Sequence, residues 1–118
     1  MSPTPDRSLA QRRDALAHAN RVRSHRKQLK ADLWAARRDP DEVLLSGDPL
    51  IATMRVTDIL RSTPGVGPVK INNWLRRYGI SPSKTVAGLS SRQQAALLVV
   101  LRAHRARSNT YAARKAAA

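Results

Sequence analysis

The chain has 118 residues, with 22 Lys and Arg against 8 Asp and Glu, a formal net charge of +14, and no cysteine. That length accommodates one small domain with some sequence left over, and the missing thiols exclude a disulfide scaffold, a cysteine nucleophile and every thiolate metal site. No apolar run approaches the roughly 20 residues of a spanning helix and the N-terminus lacks an apolar signal core, so a soluble, intracellular protein is expected, with a polyanion as its partner.

The charge is segregated along the chain. Residues 1–40 hold ten basic and four acidic residues, residues 41–58 hold one and four, and residues 59–118 hold eleven basic residues with no Asp or Glu. A solvated surface ordinarily intersperses both signs. From Ser8 to Arg38 neither Gly nor Pro interrupts a run of Ala, Arg, Leu, Gln and Lys, which predicts a long helix. Its basic turns, with Arg12, Arg13, Arg23, Arg26 and Lys27, have few apolar anchors and are expected to project, while Leu29, Leu33 and Trp34 are expected to dock on the core. The plainer alternative is a solvated helix whose charges do nothing specific.

Asp39-Pro40-Asp41-Glu42 predicts a new helix, with Asp39 as N-cap, Pro40 in first position and Glu42 closing a capping box; Gly47 ends it and Asp48-Pro49 starts a brief turn. Val56, Ile59 and Leu60 mark a further short helix that stops at Thr63-Pro64. Pro64-Gly65-Val66-Gly67-Pro68 then predicts a tight hairpin, with Pro68 opening a helix whose apolar face is Ile71, Trp74, Leu75 and Tyr78 and which ends at Gly79. Two turns follow over residues 80–89. Ser90 and Gln93 form a capping box for the last helix, whose inward stripe is Gln94, Leu97, Leu98 and Leu101. Beyond Arg107 only Tyr111 offers a large apolar group, so a frayed tail is expected. No segment alternates with period two; the fold class is all-α.

Gly65-Val66-Gly67 between two helices is the central motif. Two glycines permit positive φ and remove side chains that would hold a phosphate away, the amides opening the next helix favour an anion, and Lys70 lies one turn inside. An ordinary helix–helix turn is the bland reading; the acid-free, basic second half of the chain favours the phosphate. The catalytic inventory is thin. His18 and His25 share a helical face about 10 Å apart, too far for one metal ion, His104 is remote in sequence, and all three read as surface or phosphate-contacting residues. The acids of residues 39–48 are explained by capping. No phosphate-loop lysine motif, nucleophile elbow or dinucleotide fingerprint is present, so neither an enzyme nor any cofactor or metal is expected. Trp74 and Tyr78 lie on an apolar face, which favours packing over stacking on unpaired bases.

Met54-Arg55-Val56-Thr57-Asp58-Ile59-Leu60 running into Pro64-Gly65-Val66-Gly67-Pro68-Val69-Lys70, together with Arg77-Tyr78-Gly79-Ile80 and Val86-Ala87-Gly88-Leu89-Ser90-Ser91-Arg92-Gln93, resembles the actinobacterial integration host factor family over roughly residues 10–101. The resemblance implies a long N-terminal helix, a helix-two-turns-helix domain, nucleoid association, largely sequence-independent duplex binding, DNA compaction and help in phage integration. Pro68 stands where the family usually has Lys, which removes a cation and an N–H donor, and Asn72, Thr85 and Ala87 replace further basic positions. Lys70 and Lys84 remain, and Arg92 adds a cation where a small polar residue is common; the basic arm and tail are left to carry more of the affinity.

The expected organisation is a basic helical arm over residues 1–38, a helix-two-turns-helix domain over 39–107 and a disordered basic tail over 108–118. The expected partner is double-stranded DNA in the nucleoid, contacted by Arg55, Gly65, Gly67, Val69, Lys70, Arg76, Arg77, Lys84 and Arg92 and, on a second surface, by Arg12, Arg13, Arg23, Arg26 and Lys27. The protein is expected to be a cytoplasmic monomer away from DNA, to bridge or bend duplexes, and to share DNA with a phage integrase. An RNA-binding structural protein of the ribosomal helix-two-turns-helix type is the main alternative, and a DNA-repair lyase a second.

Overall fold

A computed structural model describes residues 8–117. Among the described residues there are five helices: α1 (Leu9–Trp34), α2 (Pro40–Leu45), α3 (Val56–Arg61), α4 (Pro68–Arg77) and α5 (Ser91–Ala117). Among the described residues there is no strand, only an isolated antiparallel bridge between Arg55 and Thr85. The expected all-α class is what folds.

α1 begins with a reciprocal cap in which the Gln11 amide donates to Ser8 Oγ at 3.1 Å and the Ser8 amide donates to Gln11 Oε1 at 2.9 Å. Its first turns are exposed, and its only buried residues are Leu29 and Leu33. Trp34, expected to dock beside them, is 67% exposed. At 100° per residue Trp34 points about 140° away from Leu29 and so leaves the buried face. The chain then leaves the helix through Ala36, whose φ of 58° occupies the left-handed position that glycine usually takes at a helix end.

The inner end of α1 is moored by side chains. His25 Nε2 meets Asp48 Oδ2, Arg26 Nε donates to the Leu50 carbonyl at 3.1 Å, and Arg26 also reaches Thr53 Oγ1. The Leu50 amide donates to Asp48 Oδ1 at 2.9 Å. That amide and, after it, His25 hold the Asp48 carboxyl below its ordinary value, against the opposing effect of burial.

α2 opens on Pro40 as expected, but the capping box of Asp39 and Glu42 does not form: Asp39 makes no side-chain cap bond. Opposite charges on neighbouring elements win both side chains. Asp39 pairs with Arg105 at 2.9 Å and Glu42 with Arg38 at 3.1 Å. Asp41, which capping alone was expected to explain, is 7% exposed and accepts from Arg102 Nε at 3.2 Å and Arg105 Nη1 at 2.7 Å, clamping α2 to α5. Both arginines remain partly solvated, so the clamp escapes the full penalty of a buried ion pair.

α3 and α4 close the core with Val56, Ile59 and Leu60 facing Ile71, Trp74 and Leu75. The connection to α5 folds back on α3: the Val56 amide donates to the Lys84 carbonyl at 3.0 Å and the Val86 amide to the Met54 carbonyl at 2.9 Å. α5 starts at the expected Ser90–Gln93 capping box and buries Leu97 and Leu101. Where a frayed tail was expected beyond Arg107, α5 continues as helix to Ala117, through Ser108-Asn109-Thr110-Tyr111 and then a stretch of Ala, Arg and Lys with high intrinsic helicity. Because α1 and α5 outrun the core, the chain measures 75 × 31 × 22 Å, with a radius of gyration of 18.3 Å against about 13 Å for a compact domain of this length. No helix among the described residues is long and apolar enough to cross a membrane.

Candidate functional site

The glycine hairpin is held from beneath. Thr63, ending the turn after α3, donates its hydroxyl to the Ile59 carbonyl at 3.0 Å, and its own carbonyl accepts from the Val66 amide at 3.3 Å. Val66 is buried, which pins the tip of the turn to the core and turns the backbone of Gly65 and Gly67 outward. Pro68 occupies the first position of α4, so the free donors of its first turn are the amides of Val69 and Lys70. These amides, with the positive end of the α4 dipole, form a concavity suited to an anion.

His104, expected at the surface, is 7% exposed and lies directly under this hairpin. Its Nε2 is 2.9 Å from the Pro64 carbonyl, its Nδ1 is 3.4 Å from Lys70 Nζ, and its ring stands edge-on to Trp74 with centroids 6.4 Å apart. A carbonyl only accepts, so Nε2 carries the proton and Nδ1 accepts from the Lys70 ammonium. The imidazole therefore holds both the turn and the lysine one helical turn later. Its position continues the Leu97–Leu101 stripe of α5 at i, i+4 and i+7, a signal legible in the sequence.

The two glycines differ. Gly65 has φ +79°, and a Cβ added there would stand 3.1 Å from His104 Cε1. Gly67, expected to share that demand, has φ −85° and open space where a Cβ would be. Gly65→Ala is accordingly expected to lower stability by about 1–2 kcal/mol, from the left-handed backbone alone before any shift of His104. Gly67→Ala is expected to leave the denaturation midpoint unchanged; paired urea titrations check both.

The remaining expected residues fall into separate groups. Arg55, exposed at the start of α3, lines a groove of about 240 Å³ with Asp58, Arg61, Asn72, Pro68 and Pro82, so it neighbours the hairpin helix. Arg61 was missed; it lies on the outer face of α3, opposite Ile59 and Leu60. Lys84 is half-buried, on the segment that pairs with α3. Arg76 and Arg77 are at the far end of α4, where the Arg77 guanidinium sits 5.6 Å from the Tyr78 ring centre. Arg92 is exposed in the first turn of α5. On α1, Arg12, Arg13, Arg23 and Lys27 are exposed, whereas Arg26 is engaged with Leu50 and Thr53. Among the described residues no three His, Asp or Glu side chains gather as a metal site would require.

The S13-like H2TH domain family matches residues 37–100. The integration host factor of Streptomyces coelicolor is 37% identical over 95 residues, which is 79% of this chain and 89% of that protein. The integration host factor of Mycolicibacterium smegmatis is 32% identical over 96 residues, 80% of this chain and 91% of that protein. A solved structure of sIHF bound to an 8-bp palindromic DNA superposes with a TM-score of 0.62 at 36% identity, covering 67% of this chain and 91% of the other.

Proposed function

The chain belongs to the actinobacterial integration host factor family, and from that membership we propose that it binds double-stranded DNA, chiefly through phosphates and with little regard to sequence. The observation that carries this reading is the hairpin. Exposed glycine backbone, the free amides of Val69 and Lys70 and an ammonium held by His104 converge in the half of the chain that has no acid, beside a groove where Arg55 and Arg61 outnumber the single carboxylate of Asp58. Those groups form the primary contact, flanked by Arg76, Arg77, Lys84 and Arg92. A second contact lies on α1, where Arg12, Arg13, Arg23 and Lys27 meet another DNA segment and Arg26 serves to moor the helix. Two basic surfaces on one monomer suit bridging or bending of nucleoid DNA, with no chemistry of the protein's own, and assistance to a phage integrase acting on the same duplex.

Salt titration tests the proposal. With about six phosphates neutralised by the arm and the hairpin together, these contacts are expected to contribute about −5 to the slope of log K against log salt, and scrambling the duplex sequence to change affinity far less than salt does. Tight binding to a single sequence with a shallow slope overturns the phosphate-dominated reading. Preference for structured RNA over duplex at fixed salt, measured by competition, transfers the site to the RNA-binding alternative.

A further inference from the structure

The matched H2TH family ends at residue 100, yet α5 runs on as helix to Ala117, about 25 Å further at 1.5 Å per residue. The base of this extension is fixed relative to the hairpin. Leu101 is buried, His104 Nε2 donates to the Pro64 carbonyl, and Arg102 and Arg105 are engaged by Asp41. Past Arg105 the character of the helix changes: the described side chains are exposed and none is acidic.

The direction of the remaining cations follows from His104. Arg107, Tyr111, Arg114 and Lys115 lie three, seven, ten and eleven residues beyond it, within roughly 80° of the side by which His104 faces the hairpin. Arg107, Thr110, Tyr111 and Arg114 line a common surface hollow. Tyr111 is 69% exposed between the two arginines. None of Arg107, Arg114 and Lys115 has a carboxylate partner among the described residues, unlike Arg102 and Arg105 on the preceding turns. Arg114 and Lys115 complement the negative end of the helix dipole, but that explains neither Arg107 nor the exposed phenol. Beyond Ser108 and Asn109, which border the hollow of Leu33 and Pro64, the described side chains of the last two helical turns are exposed, and those turns gain little from remaining helical in water by themselves.

We infer that the end of α5 is a third DNA contact, continuous with the hairpin. A duplex whose phosphate sits on the Gly65–Lys70 turn extends its backbone along Arg107, Arg114 and Lys115, with Tyr111 packing on the sugar between them. The inference rests on the DNA-binding reading proposed above. It assigns a share of the affinity to residues outside the matched family domain.

The test uses the full chain with Arg107→Gln, Arg114→Gln and Lys115→Gln combined, since Gln keeps helix propensity close to that of Arg and Lys. A second protein ends at Ala106, preserving His104 and Arg105. Both are expected to melt close to the parent, to bind unrelated duplexes about tenfold or more weakly at 0.1 M salt, and to show a salt slope shallower by roughly 2–3. Lys70→Ala, measured alongside, is expected to flatten the slope by about one. Unchanged slope and affinity in the glutamine variant, with Lys70→Ala still weakened, overturns the α5 contact and leaves the hairpin reading standing. Unchanged slopes in both overturn the hairpin reading as well.

Discussion

Deletion of residues 1–20 is expected to leave the melting temperature within a few degrees of the parent while strongly weakening the bridging of separate duplexes, since Arg23 and Lys27 alone remain of the second surface. The first turns of α1 give the core no help: Leu9 and Leu16 are 63% and 58% exposed, and the mooring begins only with the half-buried Val22 and the His25 and Arg26 contacts to Asp48, Leu50 and Thr53. Cutting at Asn20 spares all of these and keeps Leu29 and Leu33 in the core, whereas a cut after Lys27 would remove the partners of Asp48 and Leu50. The deletion removes Arg12 and Arg13 and, outside the described residues, Arg7. At about 0.9 per phosphate contact, the salt slope is expected to become shallower by roughly 2–3. Light scattering and single-molecule bridging on the two proteins provide the check; equal compaction by the shortened chain makes the outer half of the arm a solvated helix and removes Arg12 and Arg13 from the second surface.

Leu101→Ala is expected to cost about 3–4 kcal/mol, as a fully buried leucine does when its surroundings relax incompletely. Leu101 is 1% exposed and borders a hollow of about 120 Å³ shared with Leu33, Pro64 and His104. α5 has little freedom to slide into the lost volume, because His104 is bonded to Pro64 on one side and Arg105 to Asp39 and Asp41 on the other. Such a loss is a large part of the 5–15 kcal/mol that stabilises a domain, and it is expected to lower the melting temperature by more than about 10 °C. Calorimetry decides the point, and a loss below about 1 kcal/mol shows that α5 is not held by this contact. Because His104 sits one turn further on, weaker duplex binding at temperatures near the new midpoint is expected to accompany the change.

The helices, their order and most of their ends were legible in the sequence, because each rests on local chemistry. The 3.6-residue spacing of Ile71, Trp74 and Leu75, the proline in first position of α2 and α4, and the Ser90–Gln93 cap act within one or two turns of their own residues. The segregation of charge, and with it the anionic class of partner, is a property of composition that folding does not alter. What needed the tertiary structure was every outcome decided by a group far along the chain. Arg105 takes Asp39 away from its capping role across 66 positions of sequence, a competition that no local pattern contains. The requirement for glycine at position 65 rather than 67 comes from a backbone bent to φ +79° over a histidine from α5. Local spacing likewise proposed Trp34 for the core, and the surface it would have met was absent, since α1 presents only the Leu29–Leu33 side to α3. Periodicity determines which faces a chain can bury; which partner meets each face is settled only when distant segments compete for the same donors, acceptors and space.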